Sequence, residues 1–471
     1  MKKLVISLGV LAVWLSPQVA VRAEDALDIG SRLELFVDRF LIDRMEGDAK
    51  LQLHKPVPQE VVLVTDKSWE GNTSAYYTVF QDGDRYRMYY RGSHFDERAR
   101  RSAHREVACY AESRDGVHWT KPELGLLEFE GSKQNNIVWD GVGSHDFTPF
   151  RDERPGCPAE ARYKALGCAH GKYKHGLYAF QSPDAIHWNL ISDQPVITQG
   201  AFDSQNLAFW DSFRGRYVDY HRGFRQGVRD IMTATSDDFL HWSEPVWLEY
   251  PGAPKEHLYT NAIRPYQRAP HILLGFPTRF LPQRGEQVEP TFMASRDGRT
   301  FFRLTEALIP VTAPQDRAGN RSNYMAWGMV QLPGADREYS VYATEAYYRG
   351  PASRLRRFTY RVDGFVSARA GAQGGELVTR PLRFAGARLA INYAAPQGRV
   401  RVEIQDAAGA PVEGFRLADC PEIRGDCVEH TVAWKGGSDV SRLAGKPVRL
   451  RFELREADLF SLRFAPATQA P

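Results

Sequence analysis

Four stretches decide how this chain folds: Ser113-Arg-Asp-Gly-Val-His-Trp119, Ser182-Pro-Asp-Ala-Ile-His-Trp188, Ser236-Asp-Asp-Phe-Leu-His-Trp242 and Ser295-Arg-Asp-Gly-Arg-Thr-Phe301. They share the pattern Ser-x-Asp-x-x-x-aromatic, and their aromatic positions are 69, 54 and 59 residues apart. That interval is near the ~40 to 50 residues of a propeller blade with loop insertions. Ser and Asp hydrogen-bond the backbone of a turn, and the aromatic residue is suited to burial between neighbouring units. The repeat therefore reads as architecture, and His118, His187 and His241 as residues of an outer rim.

Each copy closes a unit of the same texture. After Tyr77-Thr-Val-Phe80 comes the turn Gln81-Asp-Gly-Asp84, and Tyr86, Met88 and Tyr90 then alternate with Arg85, Arg87, Tyr89 and Arg91. This is the period of a strand, entered through a strong hairpin dipeptide. Equivalent hairpins are expected over 147–166, 207–220 and 262–276. A fifth runs over 327–342 and returns through 355–366, without the Ser-x-Asp copy. Five units of short antiparallel strands predict a five-bladed β-propeller over 24–370. After a Gly-rich linker, Gly371-Ala-Gln-Gly-Gly375, two alternating segments (Val400, Val402, Ile404 and Leu450, Phe452, Leu454) and a last strand at Phe460 to Phe464 predict an all-β sandwich over 376–464. The tail, 465–471, is expected to be disordered.

Before these modules, Lys2, Lys3 and a 12-residue apolar run from Leu4 to Leu15 precede Val21-Arg-Ala23. This is the form of a signal peptide cleaved after Ala23, and it predicts a periplasmic or secreted protein. The run is shorter than the ~20 residues a spanning helix needs. The full chain has 61 basic and 58 acidic residues; without Lys2, Lys3 and Arg22 there are 58 of each. A charge so balanced gives no reason to expect nucleic acid or a membrane as partner. No C-x-x-C or H-E-x-x-H spacing suggests a metal, and no cofactor is expected. Export permits local disulfides, Cys157 with Cys168 and Cys420 with Cys427, while Cys109 reads as buried strand and the odd count of five leaves at least one thiol free.

In a propeller the innermost strands all start at one mouth of the central channel, so polar residues at those starts converge. In order they are Glu70 and Asn72, His145 and Asp146, Asp203 and Asn206, Glu256 with His257, Tyr259 and Asn261, and Asn323 with Tyr324. The second strands return to the same mouth and add Arg91, Arg222, Arg279 and Glu345.

The Ser-x-Asp-Gly-x-x-Trp turns, five units, axial carboxylates and trailing sandwich resemble the five-bladed propeller glycoside hydrolases, the superfamily of arabinanases, xylosidases and fructan hydrolases. The resemblance spans roughly 60–464 in layout. It implies a base or nucleophile at Glu70, a helper at Asp203 and an acid at Glu256, with Asp146 as substitute. Glycosidic cleavage does need one protonated and one ionised carboxyl. Departures are clear: the fructan hydrolases' Trp-x-Asn-Asp-Pro-Asn-Gly is here Trp69-Glu-Gly-Asn-Thr73, their Arg-Asp-Pro is Arg151-Asp-Glu153 and their Glu-Cys is Glu256-His257. The expected function is a glycoside hydrolase acting on a carbohydrate substrate, with Arg91, Arg222 and Arg279 able to grip an anionic sugar. Three alternatives remain open: a non-catalytic carbohydrate-binding propeller, a glycoside phosphorylase whose arginines hold phosphate, and a six-bladed sialidase-like propeller.

Overall fold

The structure, a computed structural model, describes residues 26–169, 173–309 and 323–466. The leader with its cleavage point after Ala23 lies outside the described residues, as does the tail from 467 onward. Four four-stranded antiparallel sheets follow one another along the chain. Blade I contains Ala75–Asp82, Arg85–Gly92, Val107–Ser113 and Ile137–Asp140. Blade II contains Thr148–Arg151, Tyr163–Cys168, Leu177–Ser182 and Asn189–Leu190. Leu207–Asp211, Arg216–Arg225, Val228–Ser236 and Val246–Trp247 form blade III; Arg264–Tyr266, Ala269–Gly275, Phe292–Ser295 and Phe301–Leu304 form blade IV.

Blade V closes the ring. Glu338–Glu345 and Arg354–Arg361 take their outer neighbour from the other end of the chain, Val57–Val64. Its inner edge, 325–330, bridges Ala343 and Ser340 on one side and, in parallel, Thr78 of blade I on the other. Val79 N donates to Trp327 O and Trp327 N to Tyr77 O, both at 2.8 Å. A Cβ on Gly328 would lie 2.1 Å from Val79 O, so this seam admits only glycine. The five-bladed propeller expected from the repeat is present.

The repeat itself is a latch between blades. Ser113 Oγ accepts from Gly116 N at 2.9 Å, Asp115 Oδ1 accepts from Val117 N and His118 N, and Trp119 Nε1 donates to Gly116 O. The fourth position of every copy (Gly116, Ala185, Phe239, Gly298) has φ between +70° and +84°. A tyrosine of the preceding blade then reaches the carbonyl freed by this turn: Tyr342 OH to Gly116 O at 2.7 Å, Tyr89 OH to Ala185 O at 2.6 Å, Tyr220 OH to Gly298 O at 2.8 Å. Among the described residues, the rings of His118, His187 and His241 bond only to their own Asp at the exposed rim.

The second module is an 11-stranded sheet folded over its own core. The two alternating segments pair as their pattern implies, Val400 with Leu454, Val402 with Phe452 and Ile404 with Leu450, all fully buried. Its membership corrects the expected boundaries. Leu27–Gly30, Glu34–Leu35, Ile42–Gly47 and Lys50–Leu53 belong to this sheet and not to the propeller, as does Val366–Ala370. Residues 371–375 form a turn within it, pinned by Gly371 N to Asp48 Oδ2 at 3.0 Å, and not a linker. Its last strand runs to Ala465, inside the stretch expected to be tail.

All five cysteines are free thiols. Cys157 and Cys168 flank opposite ends of the six-residue strand Tyr163–Cys168, which at ~3.3 Å per residue holds them far beyond disulfide reach. Cys420 is turned inward, its sulfur accepting from Val402 N at 3.3 Å, while Cys427 stands opposite Tyr393.

Candidate active site

The starts of the inner strands surround a cavity of about 510 Å³ at one mouth of the channel. Its walls include Tyr76 from blade I, His145 from blade II, Asp203 from blade III, Tyr259 from blade IV, and Tyr324 and Tyr347 from blade V. Gln205 plugs the channel below, donating to Tyr77 O at 3.0 Å and Thr78 Oγ1 at 3.3 Å.

At the centre is His145. Its Nε2 is 3.1 Å from Asp203 Oδ1 and its Nδ1 is 2.8 Å from Glu106 Oε2. An imidazolium satisfies both carboxylates, because both ring nitrogens then donate. Burial and the Arg91 charge oppose that proton; Asp203 and Glu106 outweigh them, and the pKa of His145 is raised. Asp203 answers in the opposite direction. Burial would raise its pKa, but His145, Arg222 and Arg91 hold the carboxyl ionised well below the usual range. The Asp203 side chain is ringed by neighbours yet 56% exposed, so its open face is turned to the cavity. Tyr259 OH donates to Asp203 Oδ2 at 3.2 Å, and Arg222 Nη2 lies 3.8 Å from the same oxygen.

Arg91 ties the cluster to the walls. Its Nη2 donates to Thr73 O at 2.8 Å and to Tyr347 OH at 3.0 Å, and its guanidinium lies 4.8 Å from the Tyr76 ring centroid. Tyr76 has φ +57° at a bulge where the pairing of blade I slips between Ala75 and Thr78. A bulge re-aims a side chain, here into the cavity beside His145. Arg100, Arg229 and Glu286 complete the charged lining.

Of the residues expected here, Asp203, Arg91, His145, Tyr259 and Tyr324 line the cavity, and Arg222 stands behind Asp203. The others do not reach it. Glu70 is buried beside the cavity wall, accepting from Tyr90 OH at 2.5 Å, Lys121 Nζ at 2.6 Å and Lys67 N at 3.1 Å. Glu256 is gripped by Arg279 Nη1 at 2.7 Å and Arg303 Nη1 at 2.6 Å. Burial opposes them, but the two arginines lower its pKa, the wrong direction for a proton donor. Arg279 is also spent on Glu289. Asp146 lies fully buried under the floor; burial raises its pKa to about 6, while Cys168 N, at 2.6 Å, and Asn206 Nδ2 donate to it.

Asn72, Asn261 and His257 shape loops, bonding Phe95, Ile263 and Arg229 backbone groups respectively. Asn323 is buried with its N–H on Val288 O, and Glu345 accepts from Arg356 Nε at 2.8 Å. Among the lining residues not anticipated are Glu106, Tyr76, Tyr347, Arg100, Arg229 and Glu286.

No protein-family model matches the chain. Two uncharacterized proteins of Mycobacterium tuberculosis, from strains CDC 1551 / Oshkosh and ATCC 25618 / H37Rv, are each 31% identical over 154 residues. The match covers 32% of this chain and 44% of theirs, so the chain spans less than half the length of these curated relatives. Among solved structures, a β-1,2-mannobiose phosphorylase from Listeria innocua in complex with β-1,2-mannobiose is 12% identical (TM-score 0.47; 66% of this chain, 97% of that one). An N-acetylgalactosamine deacetylase from F. plautii in complex with blood group B trisaccharide is 14% identical (TM-score 0.46; 67% and 96%). A glycosyl hydrolase from Bacteroides ovatus is also 14% identical (TM-score 0.42; 66% and 94%).

Proposed function

We propose that this protein is a carbohydrate-active enzyme, an exported glycoside hydrolase that cleaves a glycosidic bond in an anionic saccharide within the blade I–V cavity. The observation that carries the reading is Asp203: an ionised carboxylate with an open face, held between an imidazolium and Arg222 in a tyrosine-walled pit. Hydrolysis needs such a carboxylate to activate water or attack the anomeric carbon, and a second carboxyl to protonate the leaving oxygen. Asp203 takes the first role. Glu286, which lines the cavity outside the His145 cluster, takes the second. His145, Glu106 and Arg91 position Asp203 and keep it ionised. The tyrosines offer flat faces to a sugar, and the lining guanidinium groups of Arg91, Arg100 and Arg229 are suited to bind a negatively charged one.

The same guanidinium groups favour a second reading, phosphorolysis, in which inorganic phosphate replaces water and only one protein carboxyl is needed as acid. The test incubates the protein with neutral, uronic and sulfated oligosaccharides, with and without phosphate. Reducing sugar released from charged substrates alone supports hydrolysis. A sugar phosphate formed only with phosphate supports the second reading. Binding without cleavage in every mixture overturns both in favour of a carbohydrate-binding propeller.

A further inference from the structure

The inner strands that start at the catalytic cavity end at a second one. Their last residues, among them Phe80, Phe150, Trp210 and Tyr266, enclose about 310 Å³ at the opposite mouth of the channel, below the Gln205 plug. A third of its lining is aromatic, and its charged groups are Arg264, Arg151 and Glu153. Arg264 Nη1 donates to Met329 O at 3.2 Å, and its Nε has no hydrogen-bond partner among the described residues. No carboxylate of the described residues forms an ion pair with it. Burial lowers its pKa to about 10, and the Tyr339 hydroxyl and Glu153 carboxylate, which act in the other direction, do not restore it. A desolvated guanidinium with no carboxylate in ion-pair contact costs free energy that a bound anion would recover. Arg151, in the same lining, lies 3.8 Å from Asp82 Oδ1, so Arg264 is the guanidinium without an ion-pair partner among the described residues.

The geometry points to a second ligand site at this lower mouth, taking a carboxylate carried on a six-membered ring: the carboxylate on Arg264, the ring between Phe80 and Trp210. A uronic sugar and an aromatic acid both present that chemistry. The site is separated from the catalytic cavity by the Gln205 plug and does not depend on what that cavity does.

Tryptophan fluorescence reads it selectively, because Trp210 and Trp327 line the lower cavity and no tryptophan lines the upper one. The full chain is titrated with galacturonate and with benzoate, and with their neutral counterparts galactose and benzamide. The expected result is saturable quenching by at least one charged probe with a Kd below about 1 mM. The neutral counterpart and Arg264→Met should each weaken it by about tenfold or more, and Asp203→Asn should leave it unchanged. Whichever charged probe saturates identifies the ring. Absence of saturable quenching by both charged probes overturns the proposal, as does equal affinity for charged and neutral rings. If Arg264→Met does not fold, the charged-to-neutral comparison in the unmodified protein decides alone.

Discussion

Asp203 and Glu256 are both carboxylates flanked by arginine, and their surroundings give them different work. Asp203 keeps an open face on the cavity, whereas both oxygens of Glu256 are taken by guanidinium groups, one of them the fully covered Arg303. Glu256→Gln should therefore leave turnover within about twofold and cost about 2 kcal/mol of stability, because Arg303 loses its counterion while staying buried. Thermal melting and steady-state rates on the same preparation separate the two effects. The polar starts of the inner strands were legible as a group because blade geometry brings them together, and Asp203, His145 and Tyr259 were found that way. Whether such a residue faces the channel was not legible. Glu70 lies five residues before its strand and folds back onto Tyr90 and Lys121. Glu106 arrives from the loop before a third strand, and Tyr76 through a bulge with positive φ. No local pattern announces either.

At the scale of elements, the latch tyrosines and the blade I–V seam hold the ring. Tyr89→Phe leaves the carbonyl of Ala185 without its buried donor and should cost about 1 to 2 kcal/mol, read from chemical denaturation. Gly328→Ala should cost more, about 3 kcal/mol or above, since its Cβ would collide with backbone and not with a side chain that can turn away. Equal melting temperatures for Gly328→Ala and the unmodified protein would contradict the seam. The repeat was readable because each latch is local, a Ser and an Asp satisfying backbone groups within four residues. Ring closure was not, because Val57–Val64 finds Arg354–Arg361 nearly 300 residues away, with Glu60 held by both Arg357 Nε at 2.9 Å and Nη2 at 3.0 Å. The N-terminal strands of the second module escaped for the same reason: alternation gives a strand, and not its partner.

Over the whole molecule the propeller strands, within 57–361, lie between the two parts of the second module, 27–53 and 366–465, so the second module is not a contiguous segment. Two buried nodes tie them further. Asp363 accepts from Tyr266 OH at 2.5 Å and Arg268 Nη1 at 2.6 Å on the propeller side, and from Ser461 Oγ at 2.6 Å on the other. Glu34 accepts from Arg296 Nη1 of the blade IV turn at 2.5 Å. Calorimetry should accordingly show one unfolding transition; two resolved transitions would contradict a shared fold.

Glu34 also sets a pH dependence. Burial raises its pKa, but His271, Arg296 and Arg32 bring it down to about 2 from an ordinary 4.5. Its contribution, about 3 kcal/mol, is complete above pH ~4.5 and is lost as pH falls toward 2. Glu34→Gln should flatten that acid limb of the stability curve, and an unchanged limb would remove Glu34 from the account.

The central claim is that bond cleavage takes place at Asp203, between His145 and Tyr259, and not at the buried carboxylates of blades I and IV. The most direct measurement is kcat/KM of Asp203→Asn beside Glu256→Gln and Glu70→Gln, on a charged oligosaccharide cleaved by the unmodified protein. The account predicts a loss of about 10²-fold or more for Asp203→Asn alone. Full activity in Asp203→Asn, with collapse in Glu256→Gln or Glu70→Gln as folded proteins, would contradict it.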